Sequence, residues 1–598
     1  MEKDTWINRD ALLSAIIQDV SPYVQVDTLC ERTNPEAVLE SVASKALLNS
    51  LFKKWEGDGT SERAETRALL TFLEANHLSE TWSFCARSED DCLLLNEVRA
   101  ELDRFFHIGP DLLVDSFSAI LEEGDVGPGS SVGARGESFY AKLCASSLTT
   151  TSLSLYEMYN AYVSLFPNFS NAESVRKEKY GSVSIVDGSK VSFAPKNVDT
   201  ARLICVEPSL NMFMQLGLKN LLERRLRDFW GIDVTDQPEM NRILARLGSR
   251  SGDFATLDLS SASDLVSLRL CEMILPQWFY ELLLEIRSRT VNIRDYGLKR
   301  ELGMLSTMGN GFTFPVMTII LAAIVRAVYK ILGIPIKGNR RSKVRPEPRD
   351  WLHQSESFRD PLHVSPGNWG VFGDDIICVR EAYDRLVDSL HLLGFQVNVV
   401  KSFNEGPFRE SCGHDYFRGT NIRGVYLKRL SSRQDITVAI NALNGWTART
   451  GVSLRSAVQY LLGFLTDPLY VPWADPDDSG IRVPSSHFRG RLKSQKVYYK
   501  AYLKRPKKIR FLENGTVVTP RGTKQLLFNR YGCLLAMLRG ELRDGQIATR
   551  QNSRGLYHTR WCVTPYWDYM PLSVWVNPRT DWQRFEAAVA LNMGNLEA

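Results

Sequence analysis

The sequence predicts an α+β protein built of several lobes, and three observations carry that reading. Its 598 residues exceed what one hydrophobic core usually organises. Residues 1–125 read as helices, with apolar side chains recurring at helical spacing over 37–52 and 63–78. From about 200 to 430, short β-type runs alternate with longer helical patterns, as where sheet and helix fold together. A composition 44% hydrophobic and 24% charged supplies apolar surface for such cores and argues against disorder.

After the leading helices, residues 124–136 form a glycine-rich loop that matches no phosphate-loop spacing and reads as a connector. Residues 180–194 alternate around Asp187-Gly188, which predicts a β-hairpin. The apolar stretch 312–325 predicts a buried helix, too short to span a bilayer and followed by Arg326 and Lys330. Residues 338–370, rich in Arg, Pro and Ser, read as an exposed insertion, and helical signals return at 437–443 and 454–465. Ten cysteines stand singly with no zinc-ligand spacing, and the first residues lack the order of a signal peptide. A reduced, cytoplasmic protein without a membrane span is expected.

Charge is unevenly placed. Net charge is only +4, but residues 1–100 carry 18 Asp+Glu against 10 Lys+Arg, so the remaining chain is basic. A basic body suits contact with phosphate, and equally suits an ordinary solvated surface.

Four local patterns carry candidate chemistry. Two apolar β-type runs flank Gly373-Asp374-Asp375, which predicts a tight hairpin with acids at its tip. Adjacent carboxylates in an apolar setting call for a cation, and Mg²⁺ takes such oxygens. A second acid, Asp258, ends the run 254–257, while Asp264 beside Ser263 reads either as a ligand group or as a helix cap. Gly309 and Gly311 bracket Asn310 just before the apolar helix, a loop able to approach a bound molecule or simply to turn. Lys196 and Arg202 follow the expected hairpin and suit triphosphate, or water. Together, separated carboxylates, cations and a hydroxyl-reading pair would serve two-metal nucleotidyl transfer with selection of the sugar.

In order, APKN…R, LDLSSASD, SxMGNGFTF, FGDDII, GFQVNxxKSF and FRESCGHDYFRG resemble the motif series of levivirus replicases, the RNA-dependent RNA polymerase subunits of positive-strand RNA phages. The resemblance runs from about 196 to 419. It implies a right-hand polymerase fold of fingers, palm and thumb, with catalytic aspartates on an antiparallel palm sheet. Fingers and N-terminal helices would occupy 1–200, the palm with interleaved fingers elements and an insertion at 337–370 would occupy 201–430, and thumb and C-terminal region would occupy 431–598. It implies metal binding by Asp258, Asp374 and Asp375, with two Mg²⁺ ions for which Mn²⁺ can substitute. It gives Lys401 a part in protonating pyrophosphate, makes 408–419 the hairpin that grips the primer strand, and assigns Asp264 and Asn310 to the ribose, with Gly309 among the nucleotide-binding residues. It implies ribonucleoside triphosphates and template RNA as substrates, initiation without a primer at the template 3′ end, and work in the host bacterial cytoplasm. Host elongation factors Tu and Ts, and a ribosomal RNA-binding protein, are the implied partners.

The C-terminal third resembles the family least. Its run from 489 to 510 holds Arg489, Arg491, Lys493, Lys496 and Lys500 with Tyr498 interleaved, a composition suited to single-stranded RNA and otherwise to an exposed basic helix. A reverse transcriptase, a non-catalytic RNA-binding protein and a metal-dependent nuclease are the rival readings. They are separated by deoxynucleotide use, by survival of function without Asp374, and by release of fragments instead of extended products.

Overall fold

Helix Thr313–Ile331 is the axis of the largest hydrophobic core in this computed structural model, which describes residues 7–24, 31–56, 62–196, 199–293, 297–343, 362–487, 491–493, 496–504, 510–511, 516–518, 524–526, 528–543, 546–547, 557–569 and 578–594. Nearly every side chain from Thr313 to Tyr329 is buried, packed against helix Glu89–Phe106. Its two cations, Arg326 and Lys330, reach the buried Glu101 carboxylate at 2.7 and 2.5 Å. A charge this deep is tolerated only when paired. The helix runs 19 residues and by length and composition would cross a bilayer, which corrects the shorter expectation, but 78% of its most apolar window lies inside the protein.

Three antiparallel strands pack beside this helix in the order Gly370–Phe372, Asp375–Val379, Phe254–Leu257. Val371, Ile376, Ile377 and Cys378 are fully buried, because helix Gln237–Ser251 covers the strands as well. That two-sided burial explains why these strands read as continuous apolar runs. The helix comes so close that a Cβ on Gly248 would lie 2.5 Å from the Phe254 carbonyl oxygen. Strand Phe408–Ser411 turns through Cys412 and Gly413, at φ 45° and 71°, into His414–Phe417, the two-residue turn favoured by strand twist.

The hairpin expected around Asp187-Gly188 is corrected. Strand Ser189–Pro195 pairs with Ala201–Val206, and Ser184–Ile185 pairs instead with Thr149–Thr150. Gly188 is a point of close approach: a Cβ there would sit 2.1 Å from the Thr290 carbonyl oxygen, and Thr290 Oγ1 donates to the Asp187 carbonyl at 2.7 Å. Alternation located a real strand, but glycine marked tight packing and not a reversal.

The second core joins the two ends of the chain. Leu12, Ile16 and Val20 of helix Arg9–Val20 pack with helix Arg455–Leu462, and helix Arg433–Thr450 packs on helix Pro578–Met593. The Asp19 carboxylate accepts from the Ser456 and Ala457 amides at 3.0 Å each, capping a helix more than 430 residues away. The first helices of the chain thus pack into the same core as its C-terminal helices. The insertion begins and ends as the ribbon Arg340–Lys343 against Leu362–Ser365, and 344–361 lie outside the described residues.

Candidate active site

Gly373 and Asp374 form the two-residue turn between Phe372 and Asp375, with Gly373 at φ 60°. Helix Thr313–Ile331 fixes this turn: Thr318 Oγ1 accepts from the Gly373 amide at 3.1 Å, and Phe314 meets Phe372 edge to face at 4.7 Å. Leu257 pairs with Ile376, so continuing the register one step sets Asp258 across from Asp375. Acids from two distant segments thus reach the same end of one sheet.

Asp258 and Asp374 line one cleft of about 660 Å³ together with Lys196, Arg202, Asp264, Gly309, Asn310 and Lys401. All eight of these candidate residues are brought together. Burial, then the Asp375 and Asp258 carboxylates, push the Asp374 carboxyl up to about 6. Burial raises Asp375 as well, and its Oδ1 accepts from the Cys412 amide at 2.9 Å and from Ser411 Oγ at 3.2 Å. Asp375 therefore turns toward the neighbouring hairpin and does not line the cleft.

Lys401 Nζ lies 3.3 Å from Asp258 Oδ2. Partial burial opposes its charge, but the Asp258, Glu410 and Asp374 carboxylates outweigh burial and raise its pKa. Lys196 is held the other way, lowered by burial and by Arg202 and Lys401. A mobile anion that enters here meets cations already partly stripped of water.

The Asp264 and Asn310 side of the cleft is built from rigid parts. Asn310 Oδ1 accepts from the Thr307 amide and from Thr307 Oγ1, both at 2.9 Å, which leaves its NH₂ as the donor end toward the cleft. Gly309 lies at φ 140° against strand Ala201–Val206, where a Cβ would be 2.1 Å from the Cys205 carbonyl oxygen. Asp264 is not a helix cap, because the following helix Leu268–Ile274 is capped by Ser267, which accepts from the Leu270 amide. Burial raises the Asp264 carboxyl to about 6.

Several residues of the site were not singled out in the sequence. Asn398 Nδ2 donates to Asp258 Oδ2 at 3.0 Å, and Ser402 Oγ accepts from the Asp258 amide at 3.2 Å. Both stand within GFQVNxxKSF, so proximity to Lys401 was an available signal. Arg67 and Thr71 reach the cleft from helix Glu62–Thr81, and nothing local marks them. Behind the Asn310 loop, Gln215 Oε1 accepts from the Gly311 amide at 2.9 Å while its Nε2 donates to the fully buried Glu207 at 2.9 Å. Burial, against hydrogen bonds from Gln215 and Ser288, lifts Glu207 to about 7.

The basic C-terminal run lies apart from this cleft. It is strand, not helix: Lys496–Lys504 pairs with Arg491–Lys493 and with Tyr557–Thr564. Alternation buries Tyr499 and Ala501 and puts Lys496, Tyr498, Lys500, Tyr502 and Lys504 on the opposite face. Lys500 Nζ lies 5.3 Å from the ring centre of Trp561, itself half exposed. Arg491 and Lys493 stand on the adjoining strand, and Arg489 lies outside the described residues.

Two carboxylates at the end of a sheet, with oxygens the only donors, fit a hard divalent cation shared with substrate phosphates. No group of three His, Cys, Asp or Glu side chains able to hold a metal by itself occurs among the described residues. The residues that would hold Mg²⁺ from the cleft are Asp258 and Asp374.

The family described as RNA replicase, beta-chain, matches residues 8–337 and 356–507. The RNA-directed RNA polymerase beta chain of Enterobacteria phage fr is 37% identical over 270 residues, 45% of this chain and 43% of that one. The RNA-directed RNA polymerase subunit beta of Escherichia virus Qbeta is 37% identical over 265 residues, 44% and 39% of the two chains. That of Escherichia phage MS2 is 34% identical over 319 residues, 53% and 49%. The matched stretch thus spans less than half the length of each of these relatives. A solved RNA-dependent RNA polymerase of a human picorbirnavirus aligns over 66% of this chain and 73% of its own at 10% identity and TM-score 0.37, too distant to argue from.

Proposed function

The chain belongs to the RNA replicase beta-chain family, and from that premise we propose that it is an RNA-directed RNA polymerase that copies a phage positive-strand RNA genome. The observation that carries this reading is the single cleft shared by Asp258, Asp374, Asp264, Asn310, Lys196 and Lys401, drawn from five separate stretches of sequence. The proposed architecture is a right hand in which the three-stranded antiparallel sheet is the palm.

Each group has a part that its surroundings support. Asp258 and Asp374 present oxygens toward a Mg²⁺ pair, which Mn²⁺ can replace, with Asp375 bracing the hairpin through Cys412. When bound, such ions activate a 3′-hydroxyl and stabilise charge on the phosphates. Lys196 and Arg202 bind the triphosphate, and Lys401 is placed to hold the proton that the departing pyrophosphate takes up. Asp264 accepts from the ribose 2′-hydroxyl while Asn310 donates to it, so a deoxynucleotide leaves two buried polar groups unpaired. Synthesis starts without a primer at the template 3′ end, in the host cytoplasm, with host elongation factors Tu and Ts and a ribosomal RNA-binding protein as partners. The Lys496, Tyr498 and Lys500 face holds single-stranded RNA outside the cleft by phosphate contact and stacking, and Arg489, Arg491 and Lys493 add positive charge to the same run of sequence.

An extension assay tests this: unprimed RNA template, four ribonucleoside triphosphates, Mg²⁺ varied, with and without host extract. Template-length product that requires Mg²⁺ or Mn²⁺ is expected. Shortened template and no extended product, with extract present, would overturn the reading in favour of a nuclease.

A further inference from the structure

A second cavity, of about 720 Å³, lies apart from the catalytic cleft and shares no lining residue with it. It is walled by helix Gln237–Ser251, the hairpin ending at 421, helix Arg433–Thr450 and helix Pro578–Met593. Six arginines line it, against only Glu239 and Asp581. Three of them, Arg242, Arg246 and Arg250, recur every four residues, so they rise along one face of their helix.

How these guanidinium groups are held says what they await. Arg242 donates to the Cys412 carbonyl at 3.1 Å, Arg246 to the Gly419 carbonyl at 2.9 Å, and Arg449 to the Asn421 and Arg423 carbonyls at 3.4 and 3.1 Å. Each is fixed by a backbone oxygen, at successive points along one hairpin, and keeps further N–H groups free to donate. Among the described residues, two of the six meet a carboxylate, Arg242 with Glu239 at 3.0 Å and Arg584 with Asp581 at 3.8 Å. Crowded like charges repel one another unless an anion sits among them. Burial and Arg423 lower Arg449 to about 10, and burial with Arg242 and two other arginines lowers His414 to about 4, so the histidine stays neutral. His414 Nδ1 is buried without a hydrogen-bond partner. Trp473 and Phe585 add an aromatic wall, their rings 4.4 Å apart.

Planar guanidinium forks suit phosphate oxygens, and anchors spread along the hairpin cannot converge on one phosphate. We propose that this pocket is a further RNA-binding site, distinct from both the cleft and the lysine–tyrosine strand, which grips successive phosphates of a single strand on the side of helix Gln237–Ser251 away from the cleft. It does not rest on the polymerase reading, since a chain inactive in synthesis would keep it.

The full chain is photocrosslinked to an eight-residue oligouridylate carrying 5-iodouridine, and the adducts are mapped. Adducts within 237–251, 414–421 or 473 are expected, besides any in the catalytic cleft. The double variant Arg250→Glu with Arg584→Glu alters exposed side chains that no backbone carbonyl anchors. It should cut the pocket adducts about tenfold and make their salt dependence shallower by about 1.4, the slope of two single-strand phosphate contacts. Cleft adducts and melting temperature should stay unchanged. Absence of adducts from these three segments in the natural chain would overturn the proposal, whatever the variant does. So would equal competition by inorganic tripolyphosphate at matched phosphate concentration, which would mean a site for free polyphosphate, or by polyglutamate, which would mean an acidic protein ligand.

Discussion

The acidic cleft and the arginine pocket are both clusters of charge, but they are built on opposite terms. In the cleft, acids and cations alternate: Lys401 lies 3.3 Å from Asp258, and Asp374 is pushed up to about 6 by burial and by its acidic neighbours. In the pocket one sign prevails, and the cations lean on carbonyl oxygens. On the proposed reading, the first arrangement is poised to change its charge when metal and substrate arrive. The second is a fixed positive surface, because arginine does not titrate in the working range. One turn serves both, since the Cys412 amide holds Asp375 while its carbonyl holds Arg242. Chemistry and grip are thereby assigned to different groups on a common frame.

That division is broken or sharpened most strongly by Asp374→Asn. Synthesis should fall about a thousandfold or more, in line with loss of a principal electrostatic stabiliser. Crosslinking of RNA in the arginine pocket should be unchanged, and parallel loss of both would show one site where we see two. Next in size is Asn310→Ala. The ratio of kcat/KM for ribonucleotide over deoxynucleotide should fall about a hundredfold, because a lost hydrogen bond to a substrate hydroxyl removes discrimination. Equal loss for both substrates would make Asn310 a mere prop of its loop.

A smaller effect separates the two regions by pH. Glu207, behind the Asn310 loop, is raised from an ordinary carboxyl value to about 7, chiefly by burial. A raised acid stabilises the fold while protonated, so its contribution is complete below about 4.5 and is lost as pH climbs through 7. Thermal stability of the natural chain should therefore decline by up to about 3 kcal/mol from pH 5 to 8, and Glu207→Gln should flatten that decline. A variant that follows the natural pH profile would remove Glu207 from this account. The smallest effect is expected from Lys500→Ala on the lysine–tyrosine face, where RNA affinity should drop about threefold and the salt slope by about 0.7. Affinity and slope both unchanged would return that strand to plain surface.

How far the sequence could be read depended on whether the signal was local. The hairpin around Gly373 was legible because its strands are buried on both faces and so appear as unbroken apolar runs. Asp258 was found at a strand end, Asn310 between glycines, Asp264 beside an expected helix start, Lys196 after an expected hairpin and Lys401 through the motif resemblance, and the structure gathers them in one cleft. Asn398 and Arg67 escaped notice, since a lone Asn near a strand and a lone Arg on an amphipathic helix look like surface until the fold places them. Distance defeated the reading of helix Arg9–Val20, whose main partner, helix Arg455–Leu462, begins more than 400 residues later. Gly188 misled for a different reason: glycine permits a turn and permits close packing, and sequence does not say which was used. The arginines at 242, 246 and 250 did carry a visible period, but helical spacing of like charges usually means a solvated face.

The central claim is that Asp258 and Asp374 jointly face a divalent cation. Manganese binding, followed by electron paramagnetic resonance on the full chain with a non-hydrolysable ribonucleoside triphosphate present, tests it most directly. The natural chain should take up Mn²⁺ in a site that both Asp258→Asn and Asp374→Asn abolish or weaken at least about tenfold. Undiminished Mn²⁺ binding in the two folded variants would contradict the account.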